Sequence, residues 1–229
     1  MSLKSHPSGA VGALDRDEYA LQFRRQCHQL IAFGYGAIRG ESHGESEEDF
    51  ITQRLRQAIQ TGQRDRVLPG WADRYFVCDQ LPIDVPGLKA NRRPRIDVSV
   101  ESSESPRRPV YHFEAKRLRT DDSNSVSEYV GKRGLGMFVA ERYGRMGNEG
   151  GMLGYFQSES PNHWAARIGG KLRPDAAGDH PLSADGAWTR FPLIAEFEHT
   201  YATRHTRPTL GNITIYHTLL DFRGNTAAG

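Results

Sequence analysis

Two segments in which apolar and polar side chains alternate limit what this chain can fold into. They are residues 95–101 and residues 110–117. Their apolar positions are Ile96, Val98 and Val100 in the first segment, and Tyr111, Phe113 and Ala115 in the second. Successive side chains of a strand point to opposite faces, so each segment predicts a half-buried strand. The Ser- and Pro-rich stretch 102–109 predicts that the two strands are antiparallel neighbours.

Further elements surround these two strands. Apolar residues at helical spacing predict helices over residues 16–33, 46–61, 125–143 and 161–172. Additional β-like runs occupy residues 74–78, 151–156, 193–201 and 213–222. The predicted order is therefore α, α, β, β, β, α, β, α, β, β, which is typical of an α/β protein with a mixed central sheet flanked by helices.

Glycine and proline mark the predicted boundaries. Residues 1–15 contain one proline and two glycines without apolar periodicity, so we expect a flexible leader. We expect a core over residues 16–172 and a β-rich C-terminal extension of the same domain over residues 173–229. Glycines at 34, 36 and 40 should end the first helix. Glycines at 131, 134 and 136 indicate either an interrupted helix or an unusually close neighbour.

Composition excludes several classes of protein. The 229 residues suffice for a substantial core, and two cysteines cannot build a disulfide framework. A mean hydropathy of −0.64 and the short apolar runs argue against a membrane-spanning helix, so we expect a cytoplasmic protein. Of the 30 basic residues 25 are Arg, a side chain that bridges phosphates well. Coding DNA rich in G and C explains the same bias equally well.

Polar residues of the two alternating strands point to chemistry. Glu114 and Lys116 lie two apart and share a face of the second strand. If the strands are antiparallel neighbours, Asp97 on the first strand approaches Glu114. Two carboxylates beside an ammonium group predict a Mg²⁺ site suited to phosphodiester hydrolysis. Two solvated amphipathic strands would show the same alternation, so the pattern alone leaves both interpretations open.

The order of these residues and elements resembles the PD-(D/E)xK nuclease superfamily, which has the restriction-endonuclease-like fold. Residues 94–97, Pro-Arg-Ile-Asp, are similar to the family's Pro-Asp segment, and residues 114–116, Glu-Ala-Lys, match its (D/E)xK motif. The Pro-Asp dipeptide of the family is not intact here, because Ile96 precedes Asp97 and Pro94 lies three residues before it, so Glu101 is the alternative acidic residue of this strand. The resemblance covers residues 46–156 and implies a core of helix, three strands, helix and strand (αβββαβ).

The resemblance also implies a set of functional residues. Asp97 and Glu114 would be metal ligands for Mg²⁺ or Mn²⁺, and Lys116 the catalytic lysine. Glu48 would be a further metal contact from the first core helix, although acids favour a first helical turn in any case. Basic side chains near the motif are candidates for nucleic-acid binding. These candidates are Arg95, Arg117, Arg119, Lys132 and Arg133, the last of which falls within its helix's apolar stripe.

Two functions follow as expectations. The first is a metal-dependent nuclease acting on DNA, in anti-phage defence or restriction, with a homodimer, a helicase or another defence protein as possible partners. The alternative is a catalytically silent module of the same fold that binds nucleic acid or a partner protein. An unrelated α/β domain with an accidental motif would place Glu114 far from Asp97.

Overall fold

The computed structural model describes residues 13–41, 44–83, 93–103, 108–145, 147–172 and 186–224. The helices are α1 (Ala13–Ile38), α2 (Glu48–Arg64), α3 (Ser125–Val130), α4 (Gly136–Val139) and α5 (Pro161–Lys171). The strands are β1 (Tyr75–Pro82), β2 (Arg95–Ser102), β3 (Val110–Leu118), β4 (Glu149–Phe156), β5 (Thr189–Arg190), β6 (Thr200–Thr206) and β7 (Asn212–Asp221). A 3-10 turn at Gly70–Arg74 leads into β1.

All seven strands form one mixed sheet in the order β1-β2-β3-β4-β7-β6-β5. Neighbours are antiparallel from β1 to β3, and parallel from β3 through β4 to β7. They are antiparallel again from β7 to β5. The predicted α/β class, with a mixed sheet flanked by helices, is confirmed. The late strands β6 and β7 extend this same sheet, with β7 beside β4.

Two apolar clusters form the core. One contains the buried stripe of α2, namely Ile51, Leu55 and Ile59, together with residues of α1 and the apolar face of β3. The other joins α3, α4 and α5, with Tyr129, Phe138 and Trp164 among its fully buried side chains. Burying each large side chain contributes roughly 1.5–3 kcal/mol, so both clusters fix the sheet between its helices.

The first helix is longer than predicted. It runs to Ile38, past Gly34 and Gly36, so the expectation that glycine ends it after residue 33 is wrong. A Cβ on Gly34 would lie 2.8 Å from the carbonyl oxygen of Leu55 in α2. Gly34 therefore permits close packing of two helices instead of terminating one. Of the predicted leader, residues 1–12 lie outside the described residues, and α1 begins at Ala13.

The predicted helix over residues 125–143 is interrupted. The α3 helix ends at Val130, and α4 begins only at Gly136. A Cβ on Gly134 would lie 2.2 Å from the carbonyl oxygen of Tyr129, so the connecting turn requires glycine there. Of the two alternatives raised by these glycines, interruption is the observed one. As a result Arg133 is exposed, and its predicted place in an apolar stripe is wrong.

The C-terminal part departs from prediction at one strand. Residues 191–199 are irregular, and β6 begins at Thr200, so the strand predicted over 193–201 is wrong for most of its length. Leu193 and Phe197 are nevertheless buried in the first apolar cluster, and the backbone N–H of each donates a hydrogen bond within a local turn. The strand predicted over 213–222 is confirmed as β7. Residues 173–185 of the predicted loose stretch lie outside the described residues.

None of the helices in the described part of the chain has the length and apolar character needed to cross a membrane.

Candidate active site

Regular strand pairing is interrupted on both sides of Asp97. Between β1 and β2, Asp79 pairs with Val98 and Leu81 with Ile96, whereas Gln80 lies opposite Asp97 without being paired to it. Between β2 and β3, the pairs run from Glu101–Val110 to Val98–Phe113. The next position in that register would set Asp97 opposite Glu114, as the sequence predicted.

Where the pairing between β2 and β3 ends, the side chain of Asp97 makes the contact between the two strands. Its Oδ2 atom accepts the backbone N–H of Ala115 at 2.7 Å. The apolar side chains on either side of Asp97 also diverge, since Ile96 packs in the second apolar cluster and Val98 in the first. The prediction that Ile96, Val98 and Val100 share one face is therefore wrong at Ile96. The result is a carboxylate held inside the sheet, only 6% exposed.

Lys116 is the centre of a compact charged group. Its Nζ atom lies 2.9 Å from Glu114 Oε1 and 2.9 Å from Glu48 Oε1. Asp97 Oδ2 lies 3.8 Å from the same atom. Lys116 also donates a hydrogen bond to the backbone carbonyl of Ala115 at 2.5 Å. One ammonium group therefore faces three carboxylates, and all four residues are ones that the sequence predicted.

Glu48 reaches this group from the first turn of α2. Its second carboxylate oxygen, Oε2, accepts the backbone N–H of Arg117 at 2.9 Å. The helix begins at Glu48 with Glu47 as its N-cap and no side-chain cap, so the predicted start at Ser46 is wrong. The backbone carbonyl of Ser46 accepts a hydrogen bond from the side chain of Gln157, which directly follows β4. These bonds fix the start of α2 beside β3.

Three carboxylates lie close enough together to hold a cation. Glu48, Asp49 and Asp97 each place an oxygen within 4.8 Å of the others. Asp49 was not among the ligands that the sequence predicted. The one feature of the sequence that could have indicated Asp49 as a ligand is that it directly follows Glu48. Glu114, predicted as a ligand, is not part of this group of three and contacts Lys116 instead.

Glu114 carries an unsatisfied oxygen. The residue is 4% exposed, and its buried Oε2 atom makes no hydrogen bond to any residue that the structure describes. Burial, together with the nearby charge of Asp97, raises the pKa of Glu114 well above its usual value, and Lys116 offsets only part of this effect. A buried polar atom without a hydrogen-bond partner is costly, so this oxygen is a candidate contact for a bound cation.

Burial and charge also have opposing effects on the pKa values of Asp97, Glu48 and Lys116. Burial raises the pKa values of Asp97 and Glu48, and the attraction of Lys116 opposes both increases. For Lys116, burial alone would lower the pKa, but Glu114, Glu48 and Asp97 more than offset it and raise the pKa above its usual value. Lys116 therefore stays protonated and provides positive charge instead of accepting a proton.

The predicted nucleic-acid contacts fall into two sets. Arg117 pairs with Glu47 at 2.9 Å, and Arg119 pairs with Glu45 at 3.0 Å, so both flank the start of α2. Arg119 also contacts Asp121 at 2.5 Å. The remaining three, Arg95, Lys132 and Arg133, are exposed. Within the described residues, no ion pair links these three to the carboxylate group.

Comparison of the sequence with protein-family models, with curated proteins and with solved structures gave no match. The chemistry of the site therefore has to follow from its own residues. The three grouped ligands offer only carboxylate oxygens, the donors that hard divalent cations such as Mg²⁺ and Mn²⁺ prefer. The donor set fits such an ion, and the unsatisfied Glu114 oxygen beside it is a further potential contact.

Proposed function

We propose that this protein is a metal-dependent nuclease of the restriction-endonuclease-like fold that hydrolyses phosphodiester bonds in DNA. The observation that carries the proposal is the position of the Lys116 ammonium group, 2.9 Å from both Glu114 and Glu48 and beside the buried Asp97. A protonated lysine among three carboxylates combines the cation-binding and charge-neutralising groups that phosphodiester hydrolysis needs.

The order of elements supports the fold assignment. The αβββαβ order implied by the resemblance corresponds to α2, β1 to β3, the α3–α4 pair and β4. The first three strands are antiparallel, and β4 joins β3 in parallel. The acidic residue of β2 and the (D/E)xK residues of β3 lie on neighbouring strands, as this fold requires.

Mg²⁺ or Mn²⁺ would be held by Glu48, Asp49 and Asp97, with Glu114 beside them. Such an ion, when bound, polarises a phosphoryl oxygen and lowers the pKa of a bound water. The chain's own residues prepare the site for it. The N–H of Ala115 fixes Asp97, and the N–H of Arg117 fixes Glu48, so both carboxylates are oriented by backbone groups.

Lys116 supplies the positive charge. Because it stays protonated, its role is to neutralise the negative charge that develops on the phosphate during cleavage. Its present partners, Glu114 and Glu48, orient the ammonium group toward the shared site. Removing the ammonium group should therefore lower the rate of cleavage much more than the affinity for DNA.

Arg117 and Arg119 are the best placed of the predicted phosphate contacts. Their partners Glu47 and Glu45 have side chains that are 74% and 88% exposed. Exposed ion pairs contribute little to stability, so Arg117 can exchange Glu47 for a phosphate group at low cost. Arg119 can likewise exchange Glu45, while its second partner Asp121 also has to be released. One site per chain cuts one strand, and a homodimer would suit cleavage of both strands of a duplex.

A cleavage assay tests the proposal. Supercoiled plasmid, linear duplex, single-stranded DNA and RNA would each be incubated with the protein in Mg²⁺, Mn²⁺ or EDTA. We expect cation-dependent cutting of DNA that is lost in Lys116→Met. DNA binding without cutting in either cation would favour the silent binding module instead. Equal cutting by wild type and Lys116→Met would overturn the assigned site.

A further inference from the structure

Gln80 occupies an unusual position on the edge strand β1. It lies opposite Asp97 in the register, yet only its neighbours Asp79 and Leu81 pair with β2. Its backbone φ is +50°, in the left-handed region that side chains with a Cβ rarely adopt. A strained residue persists only where other contacts hold it, so the contacts of this side chain are informative.

The side-chain amide of Gln80 bridges two of the grouped carboxylates. Its Nε2 atom lies 3.2 Å from Asp97 Oδ1 and 3.3 Å from Asp49 Oδ1. An ionised carboxylate only accepts hydrogen bonds, so the NH₂ end of the amide is the end that faces both oxygens. Its two hydrogens can serve one carboxylate each. Gln80 thereby connects β2 to the first turn of α2.

We propose that Gln80 is a positioning residue that holds the carboxylates of Asp49 and Asp97 together for a divalent cation. The inference rests on the proposed function, because it concerns the same site. Two neighbouring carboxylates repel each other, and hydrogen-bond donors between them reduce that repulsion. An uncharged amide reduces the repulsion between the carboxylates. Unlike a lysine or an arginine, it carries no full positive charge that would repel an incoming cation.

Lys116 does not hold Asp49 beside Asp97 as Gln80 does. Its close contacts, at 2.9 Å, are with Glu48 and Glu114. Asp49 is exposed, so its side chain is free to turn toward solvent when nothing retains it. Gln80 is the residue whose described hydrogen bonds retain Asp49 beside Asp97. Glu114, whose Oε1 atom contacts Lys116, carries a second, buried oxygen that makes no hydrogen bond to the described residues and is available to contact a cation.

Calorimetric titration with Mn²⁺ tests the role of Gln80. The variants are Gln80→Met, which keeps the length but cannot donate, and Gln80→Gly, which also relieves the left-handed backbone. Gln60→Met is the matched control, because Gln60 donates to the Val77 carbonyl and removing that bond leaves the carboxylates untouched. We expect Mn²⁺ to bind both Gln80 variants about tenfold more weakly, as for other residues that orient ligands, and the control to match wild type.

Urea unfolding without added cation separates positioning from a purely structural role. Relief of strain should make Gln80→Gly more stable than Gln80→Met, although both lose Mn²⁺ affinity. Unchanged Mn²⁺ affinity in Gln80→Met, with tight binding by wild type, would overturn this inference and leave the proposed function standing. Absence of Mn²⁺ binding by wild type would overturn both.

Discussion

The side chains of Lys116 and Glu48 meet at 2.9 Å, although they lie 68 residues apart on a strand and a helix. This contact connects β3 to the first turn of α2 at the point where β2 also contributes Asp97. The three elements therefore assemble the charged group before any ligand is present. Burial raises the pKa values of the three carboxylates. Keeping these groups ionised near neutral pH therefore lowers the free energy of unfolding.

Removing the central ammonium group should destabilise the fold. Lys116→Met leaves buried carboxylates without their counter-charge, and breaking a buried ion pair costs about 3–5 kcal/mol. Urea unfolding at about pH 8 measures the loss, and it should be smaller at about pH 5.5, where the carboxylates take up protons. Lys171→Met, at the exposed end of α5, is the control. Equal losses in the two variants would contradict the described contacts.

Cation binding should strengthen as pH rises. The raised pKa values mean that the folded protein holds carboxyl protons more tightly than the unfolded chain, so folding is favoured as pH falls through this range. Mn²⁺ competes with those protons. The increase in melting temperature caused by Mn²⁺ should therefore be larger at about pH 8 than at about pH 5.5. Asp97→Asn should abolish it, and a shift independent of pH would contradict the site.

A buried histidine predicts sensitivity to acid. Burial and then the charge of Arg24 lower the pKa of His28 to about 3, below its usual value of 6.5. The folded state therefore binds this proton less readily than the unfolded chain. The associated stability is complete above about pH 6.5 and decreases by roughly 1.4 kcal/mol per pH unit below it. His28→Asn should flatten that decrease in urea unfolding, and an unchanged slope would exclude His28 as its source.

The alternation of apolar and polar residues in β2 and β3 was sufficient to predict part of the site. Alternation over residues 95–101 and 110–117 placed Asp97 near Glu114, and it put Lys116 on the same face as Glu114. The second relationship holds because side chains two apart along a strand share a face. The first holds although the alternation of β2 fails at Ile96, because the Asp97 carboxylate accepts the N–H of Ala115, which directly follows Glu114. The resemblance implied Glu48, which lies at helical spacing from the buried Ile51, Leu55 and Ile59 of α2.

Local departures from regular structure account for what the sequence did not predict. Gln80 lies where the β1–β2 pairing is interrupted, and an ideal strand gives no reason to turn its amide toward Asp49. The position of Arg133 depended on one continuous helix, but the backbone turns at Gly134. Glycine spacing indicated either an interruption or a close contact, and only the three-dimensional packing decides between them.

The arginines beside α2 should contribute to DNA affinity through charge. Arg119→Gln in an Asp97→Asn background, in which we expect no cleavage, should weaken binding of a labelled duplex at low salt. It should also reduce the slope of affinity against salt concentration by about one. Fluorescence anisotropy measures both quantities. Arg190→Gln on the opposite edge strand β5 is the control, and a matching loss there would exclude a local role for Arg119.

The most direct measurement is the rate of Mn²⁺-dependent plasmid cleavage by two carboxylate variants of the same strand. Asp97→Asn removes the carboxylate beside Lys116, whereas Glu101→Gln changes a carboxylate that pairs with Arg108 near the other end of β2. The account predicts that Asp97→Asn abolishes cleavage and that Glu101→Gln cuts at the wild-type rate. Cleavage that survives Asp97→Asn, or that is lost in Glu101→Gln alone, would contradict it.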